Sequence, residues 1–240
     1  MKSKIAEAIK LEKSSIAILW TDEKPEQTIQ FKEGRWGCVI SLMTQAAKGK
    51  TAVFDEDTCG CPGGAKGLGF KDYELGEIEH FLSTGEECER EGEFYKKTPE
   101  YARQFIASLP DIEVATKYVV FKPLEEVEAD EEPKAIVFLV NADQLSGLVT
   151  LANFDQPTKD NVTIFFGAGC HSTIIEVLEQ AESENPKALI GLTDPSARKY
   201  IDSELLSFSL PYQRFLELEA EVENSFLTQG ACWPSIKERI

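Results

Sequence analysis

Ala135-Ile136-Val137-Phe138-Leu139-Val140 is an unbroken apolar run followed by Asn141-Ala142-Asp143. Six such residues closed by a polar stop predict a strand, and Asn141 or Asp143 can cap a helix running to residue 153. The pattern then repeats outward. Residues 162–166 read as a strand, after which Gly167-Ala168-Gly169-Cys170 opens a helix through residue 181. Residues 188–192 form another strand, and Asp194-Pro195 starts a short helix carrying Arg198. A strand over 205–210 stops at Pro211, and residues 212–224 form an amphipathic helix with Phe215, Leu216, Leu218 and Val222 near one face.

The first half has a similar alternation. A helix over 3–12 precedes a buried strand over 15–21, which Lys24-Pro25-Glu26 breaks. A helix over 38–47 ends at Lys48-Gly49, a basic last turn followed by a glycine stop. After a strand over 51–54 comes Cys59-Gly60-Cys61-Pro62-Gly63-Gly64-Ala65-Lys66-Gly67-Leu68-Gly69. Helices over 77–82 and 100–109 flank a charged, exposed excursion over 84–97 that holds Cys88. A strand over 117–121 ends at Lys122-Pro123, and the acidic stretch 125–132 reads as a solvated loop or short exposed helix. This order predicts an α/β fold, a mixed sheet built from βαβ-like units with helices packed on it. Strand, helix, strand and glycine-cysteine turn occur in both halves. The chain is thus one domain over 1–240, with pseudo-repeated lobes at 1–115 and 116–240 if that echo is more than chance.

Composition narrows the function. Hydrophobic residues make up 42 % of 240, enough for a substantial core. The 42 acidic residues against 25 basic ones give a net charge of -17, which argues against nucleic acid and against anionic membrane surfaces. The first 20 residues hold no signal-peptide core and no stretch approaches a membrane span, so a cytoplasmic location is expected. There, six cysteines read as ligands, redox thiols or core filler and not as disulfides.

Three of these cysteines share one setting. Pro62 makes Cys61 extended and suits the first position of a helix. Cys170 follows Gly167 and Gly169 where a strand gives way to a helix, and Cys38 follows Gly34 and Gly37 at another helix start. Unpaired N–H groups and the helix dipole there favour negative charge, which is expected to lower a thiol pKa and prepare a ligand or nucleophile. An iron–sulfur cluster or zinc ion is what gathers three or four thiolates. Separate core or surface cysteines remain the alternative, because free cysteine is commonly buried. Cys59 joins the set only if Gly60 turns it to the side of Cys61.

Other candidates carry less chemistry. His171 beside Cys170 is a nucleophile–base pair only if neighbours on a helix converge, which they ordinarily do not. His80 reads as a surface residue. Lys66 among its glycines lacks the order of a phosphate-binding loop. Arg198 suits a carboxylate or phosphate held by its two-pronged guanidinium. Acidic neighbours make Cys88 inert, and Cys232 reads as core filler or a late ligand.

Several motifs together carry a family likeness. They are Trp36-Gly37-Cys38-Val39 with Ala46-Ala47-Lys48-Gly49, and Gly60-Cys61-Pro62-Gly63-Gly64 with Leu68-Gly69. Further on they are Phe121-Lys122-Pro123-Leu124, Gln144-Leu145-Ser146, Gly167-Ala168-Gly169-Cys170 and Ser207-Phe208-Ser209-Leu210-Pro211. The chain resembles the uncharacterised family catalogued as domain of unknown function 169, common in archaea and anaerobic bacteria. The likeness runs from about residue 11 to 218 and implies one full-length domain. It marks the positions of Cys38, Cys61, Cys170 and Arg198, but not Cys59, Cys88 or Cys232, and it implies no particular activity. An anaerobic setting suits oxygen-sensitive clusters.

The expectation is therefore one pocket lined by Cys38, Cys61 and Cys170, holding an iron–sulfur cluster or metal with Cys59 as fourth ligand. Gly63, Gly64, Gly169 and Arg198 would hold a small-molecule anion, in a redox or substrate-activating role. Two other readings are a metal-free small-ligand module whose glycine loops form an anion nest, and a thiol enzyme with Cys61 or Cys170 as nucleophile.

Overall fold

The computed structural model describes residues 1–71, 76–86 and 91–240. Its strands are β1 (Ile16–Thr21), β2 (Ala52–Phe54), β3 (Tyr118–Pro123), β4 (Ala135–Val140), β5 (Val162–Ile164), β6 (Ala188–Gly191) and β7 (Leu206–Pro211). The helices are α1 (Lys4–Ala8), α2 (Val39–Ala46), α3 (Pro62–Leu68), α4 (Ile78–Phe81), α5 (Pro99–Ala107), α6 (Ala142–Ala152), α7 (Glu176–Ala181), α8 (Pro195–Arg198), α9 (Tyr212–Glu221), α10 (Phe226–Gln229) and α11 (Trp233–Lys237). A 3-10 turn, Leu124–Glu126, opens the acidic stretch after β3, and a π-helical turn, His171–Ile175, runs into α7.

The strands form one seven-stranded mixed sheet in the order β2-β3-β1-β4-β7-β6-β5, so the fold is α/β. Apolar residues along β4 serve two layers, because successive side chains leave a strand on opposite faces. Ala135, Val137 and Leu139 pack with α2, α3, the π turn and α8. Ile136, Phe138 and Val140 pack with α1, α6, α9, α10 and α11. Burial on both faces explains why β4 reads as continuous apolar sequence with no polar alternation.

The sheet is mixed, as expected. Among the paired strands only β5 and β6 run parallel; the other neighbours are antiparallel, because β3 inserts between β1 and β2 and β7 between β4 and β6. Apolar periodicity identifies strands but carries no information about which strand lies beside which. Strand β3 comes from the span 116–240 and lies between two strands of the span 1–115. The helices after β1 and β4 cover opposite faces, so the echo is not a structural repeat.

Ends shift for local reasons. The helix over 3–12 shortens to α1 because Lys10 takes a left-handed φ of 49°. Its N-terminus is capped by Ser3, whose hydroxyl accepts from Ala6 N–H. Asn141 and Gln144 form a reciprocal capping box that starts α6. The strand over 162–166 ends at Ile164, and Phe166 joins the cavity described below. Among the described residues, no helix is long and apolar enough to cross a membrane.

Candidate functional site

Helix α3 contains three glycines in Pro62-Gly63-Gly64-Ala65-Lys66-Gly67-Leu68, a composition that opposes helix formation by roughly 1 kcal/mol per glycine. Close approach explains two of them. A Cβ on Gly67 would lie 2.6 Å from Cys170 Sγ and 2.9 Å from His171 Cδ2. One on Gly64 would lie 2.7 Å from Val39 Cγ2 and 3.4 Å from Cys59 Sγ. Gly60 is needed for the same reason and not for an unusual φ, since its Cβ would sit 2.4 Å from Arg35 O. The loop bearing Cys59 and Cys61 is thereby pressed against the segment leading to Cys38.

The result is a cavity of about 780 Å³ lined by Cys38, Cys59, Cys61 and Cys170 together with Gly63, Gly64 and Gly169. Cys38 is the N-cap of α2 and Cys61 the N-cap of α3, both extended, and neither sulfur makes a capping hydrogen bond. Cys170 directly precedes the π turn. Cys59 and Cys170 are buried, and Cys38 and Cys61 are half-buried. A π turn at such a place is a recurrent feature of functional sites.

Electrostatics differ from the expectation of lowered thiol pKa values. Burial pushes the Cys59 thiol up to about 12, with Cys61 adding repulsion. Burial also raises Cys38, against the pull of the Ile40 and Ser41 N–H groups, and Cys61 again adds to it. Cys170 is raised well above the ordinary thiol range by burial and then by Cys61, Cys38, Asp194 and Cys59. Desolvation outweighs the backbone N–H groups at Cys38 and Cys59, and the Lys71 charge beside Cys59 is too small an offset to reverse it.

Cys170 and His171 converge where an ordinary helix would separate them. Cys170 Sγ donates to Gly63 O at 3.1 Å, and His171 Nε2 lies 3.2 Å from the same oxygen. A carbonyl only accepts, so the imidazole carries its proton on Nε2. Burial lowers the His171 pKa to about 4, with Gly63 O opposing and Lys66 assisting. The imidazole is therefore neutral at pH 7 and serves as a donor to α3.

Several sequence candidates fall elsewhere. Arg198 does not line the cavity; its guanidinium donates to the carbonyl oxygens of Leu205 and Ser203. That interaction ties α8 to the turn before β7. Gly63 meets the site through a carbonyl already accepting from Cys170 and His171. Lys66 is buried and pairs with Asp111 at 3.3 Å. His80 is half-buried on α4, not a surface residue. Cys232 is exposed at the start of α11 and is neither core filler nor part of the cavity. Cys88 lies outside the described residues.

The rest of the wall was not legible as a site in sequence. Asp194, noted only as a helix start, is the N-cap of α8: Oδ2 accepts from Ala197 N–H at 3.1 Å and from the Ser196 hydroxyl. Burial raises its carboxyl pKa. Leu192, two residues earlier, takes a left-handed φ of 61°, a strained setting for a branched side chain. Trp36, Phe81, Tyr95, Phe105 and Phe166 supply an aromatic wall from five places along the chain. No common spacing links them, so only the motif around Trp36 pointed that way.

Comparison with known proteins gives a family without an assigned activity. No curated protein and no solved structure matches the chain. The model of one family, described as uncharacterised ArCR, matches residues 4–221, which takes in all four cavity cysteines and the whole sheet. The chain thus belongs to the family of domain of unknown function 169.

Proposed function

We propose that the cavity holds an iron–sulfur cluster on Cys38, Cys61 and Cys170 with Cys59 as the fourth thiolate. One observation carries this reading: four cysteines from three separate stretches of chain line a single cavity. Their mutual repulsion and desolvation disfavour thiolates there without a cation, and a bound metal reverses that balance.

Thiolates suit either a cluster or a zinc ion, and among the described residues no three His, Cys, Asp or Glu side chains gather closely enough to hold one metal ion. A cluster attaches each thiolate to a different iron and accepts a wider spread. Binding at Cys170 would replace its S–H···O contact with Gly63. Bound there, a cluster supplies electron transfer or Lewis acidity. The protein supplies the room of the cavity and first-turn N–H groups facing Cys38.

The test is anaerobic reconstitution with ferrous iron and sulfide, followed by visible absorption and iron and labile-sulfide determination. Charge-transfer absorption with iron and sulfide in comparable amounts is the expected result, lost in Cys61→Ser and Cys170→Ser and kept in Cys232→Ser. Iron-free, colourless protein after this treatment would overturn the proposal. A second reading, a metal-free small-ligand cavity, is favoured by the hydrogen bond that already occupies Cys170. It predicts that colourless result. Rapid alkylation of one thiol by iodoacetamide at neutral pH would instead mark a nucleophile at Cys61 or Cys170.

A further inference from the structure

The cavity is larger than its thiols need, and the remaining wall has its own chemistry. The rings of Phe105 and Phe166 lie 5.2 Å apart at 49°, and Tyr95 meets Phe166 edge-on at 6.1 Å. Phe166 is 42 % exposed and Trp36 is 55 % exposed. Lys96 Nζ covers one face each of Phe105 and Phe166, 4.4 and 4.6 Å from their ring centres, and the two rings also line the cavity. Exposed apolar surface gathered in a concave site marks ligand contact, and this volume suits a small organic molecule.

The same wall holds buried polar atoms. Asp194 is 2 % exposed, and among the described residues its buried Oδ1 makes no hydrogen bond of good geometry, although the Gly169 N–H stands near the carboxyl. Tyr95 Oη is buried beside it, with Glu93 and Ser196 as its polar neighbours. Leaving a buried acceptor unsatisfied is unfavourable, and a donor on a ligand would relieve that loss. The charges favour such a donor over an anion. Glu77, Glu93 and Asp194 line the cavity, whereas Lys71 is paired with Glu56 at 3.0 Å and Lys199 lies over the rings of Trp36 and Tyr200.

We infer that the cavity binds a flat heteroaromatic ring against Phe105 and Phe166, with a ring N–H or amino group donating to Asp194 Oδ1. This goes beyond the cluster and rests on different side chains, so the two ideas stand separately. Ring stacking supplies affinity, and the buried carboxylate selects rings that carry a donor.

Isothermal titration of the full chain with adenosine and with riboflavin, against D-ribose, tests it. At least one of the two ring compounds is expected to bind at a single site, and ribose is not. Asp194→Asn keeps a capping oxygen for α8 but replaces the acceptor facing the ring, and it should weaken binding about tenfold or more. Phe166→Ala should weaken it by a similar factor, with circular dichroism unchanged in both variants. Failure of both ring compounds to bind, or binding indifferent to either substitution, would overturn the inference. The parent chain separates the two ideas: ring binding without iron uptake contradicts only the cluster, and iron uptake without ring binding contradicts only the ring site. Ring binding should persist in Cys61→Ser, which lacks the cluster.

Discussion

Gly67 shows how little space separates α3 from the cysteine that follows Gly169. Adding a methyl there would press it to 2.6 Å from Cys170 Sγ and 2.8 Å from Cys170 Cβ. Gly67→Ala should gain about 1 kcal/mol of helix propensity but lose about 1–3 kcal/mol to overpacking. A net loss by urea denaturation is expected, together with faster alkylation of Cys170. Glu176 offers a pH test at the same scale. It is 8 % exposed in the first turn of α7, and burial, then Glu179, raises its pKa from 4.5 to about 7. A carboxyl raised on folding binds more protons folded than unfolded, so its stabilising contribution is complete below pH 4.5 and is lost as pH rises through 7. Glu176→Gln should therefore match the parent near pH 4 and exceed it by roughly 2 kcal/mol at pH 8. Urea midpoints across that range would show it, and equal midpoints at pH 8 would contradict it.

At the scale of elements, α6 is held at its start by more than its own cap. Asn141 and Gln144 complete the capping box, and the buried Gln144 amide also donates to Ile9 O and Lys10 O at 3.2 Å each. Asn141→Ala should cost about 1 kcal/mol as a lost cap. Gln144→Ala should cost more, about 2 kcal/mol, because it also leaves carbonyls after α1 unpaired. The reverse order of urea midpoints would refute this account of α6. These same elements show what was legible in sequence. Asn141 before an apolar-periodic run, Pro62 after Cys61 and Asp194-Pro195 are chemical statements about helix starts, and each has its helix in place. The π turn at His171–Ile175 has no such signature, because it follows from packing of Cys170 and His171 on Gly63. The thiol environment was misread for a related reason: helix starts are visible in sequence, but the depth of burial around Cys59 and Cys170 is a tertiary property.

Across the whole molecule, strand insertion joins the halves. β3 runs antiparallel between β1 and β2, while β1 also pairs with β4, so no cut between 115 and 116 leaves a closed sheet. The chain should unfold in one cooperative step by circular dichroism and tryptophan fluorescence together, and a fragment of residues 1–115 should not fold alone. Two separated transitions would contradict a single sheet-wide unit. The same connection delivers cysteines from residues 38, 59, 61 and 170 to one space, which local spacing alone could not reveal. That convergence is the central claim, and X-ray absorption at the iron edge of the anaerobically reconstituted protein tests it most directly. Sulfur as the sole first-shell neighbour with iron as a second shell, diminished in Cys38→Ser and Cys170→Ser, is the predicted result; an oxygen and nitrogen first shell unchanged by those substitutions would contradict it.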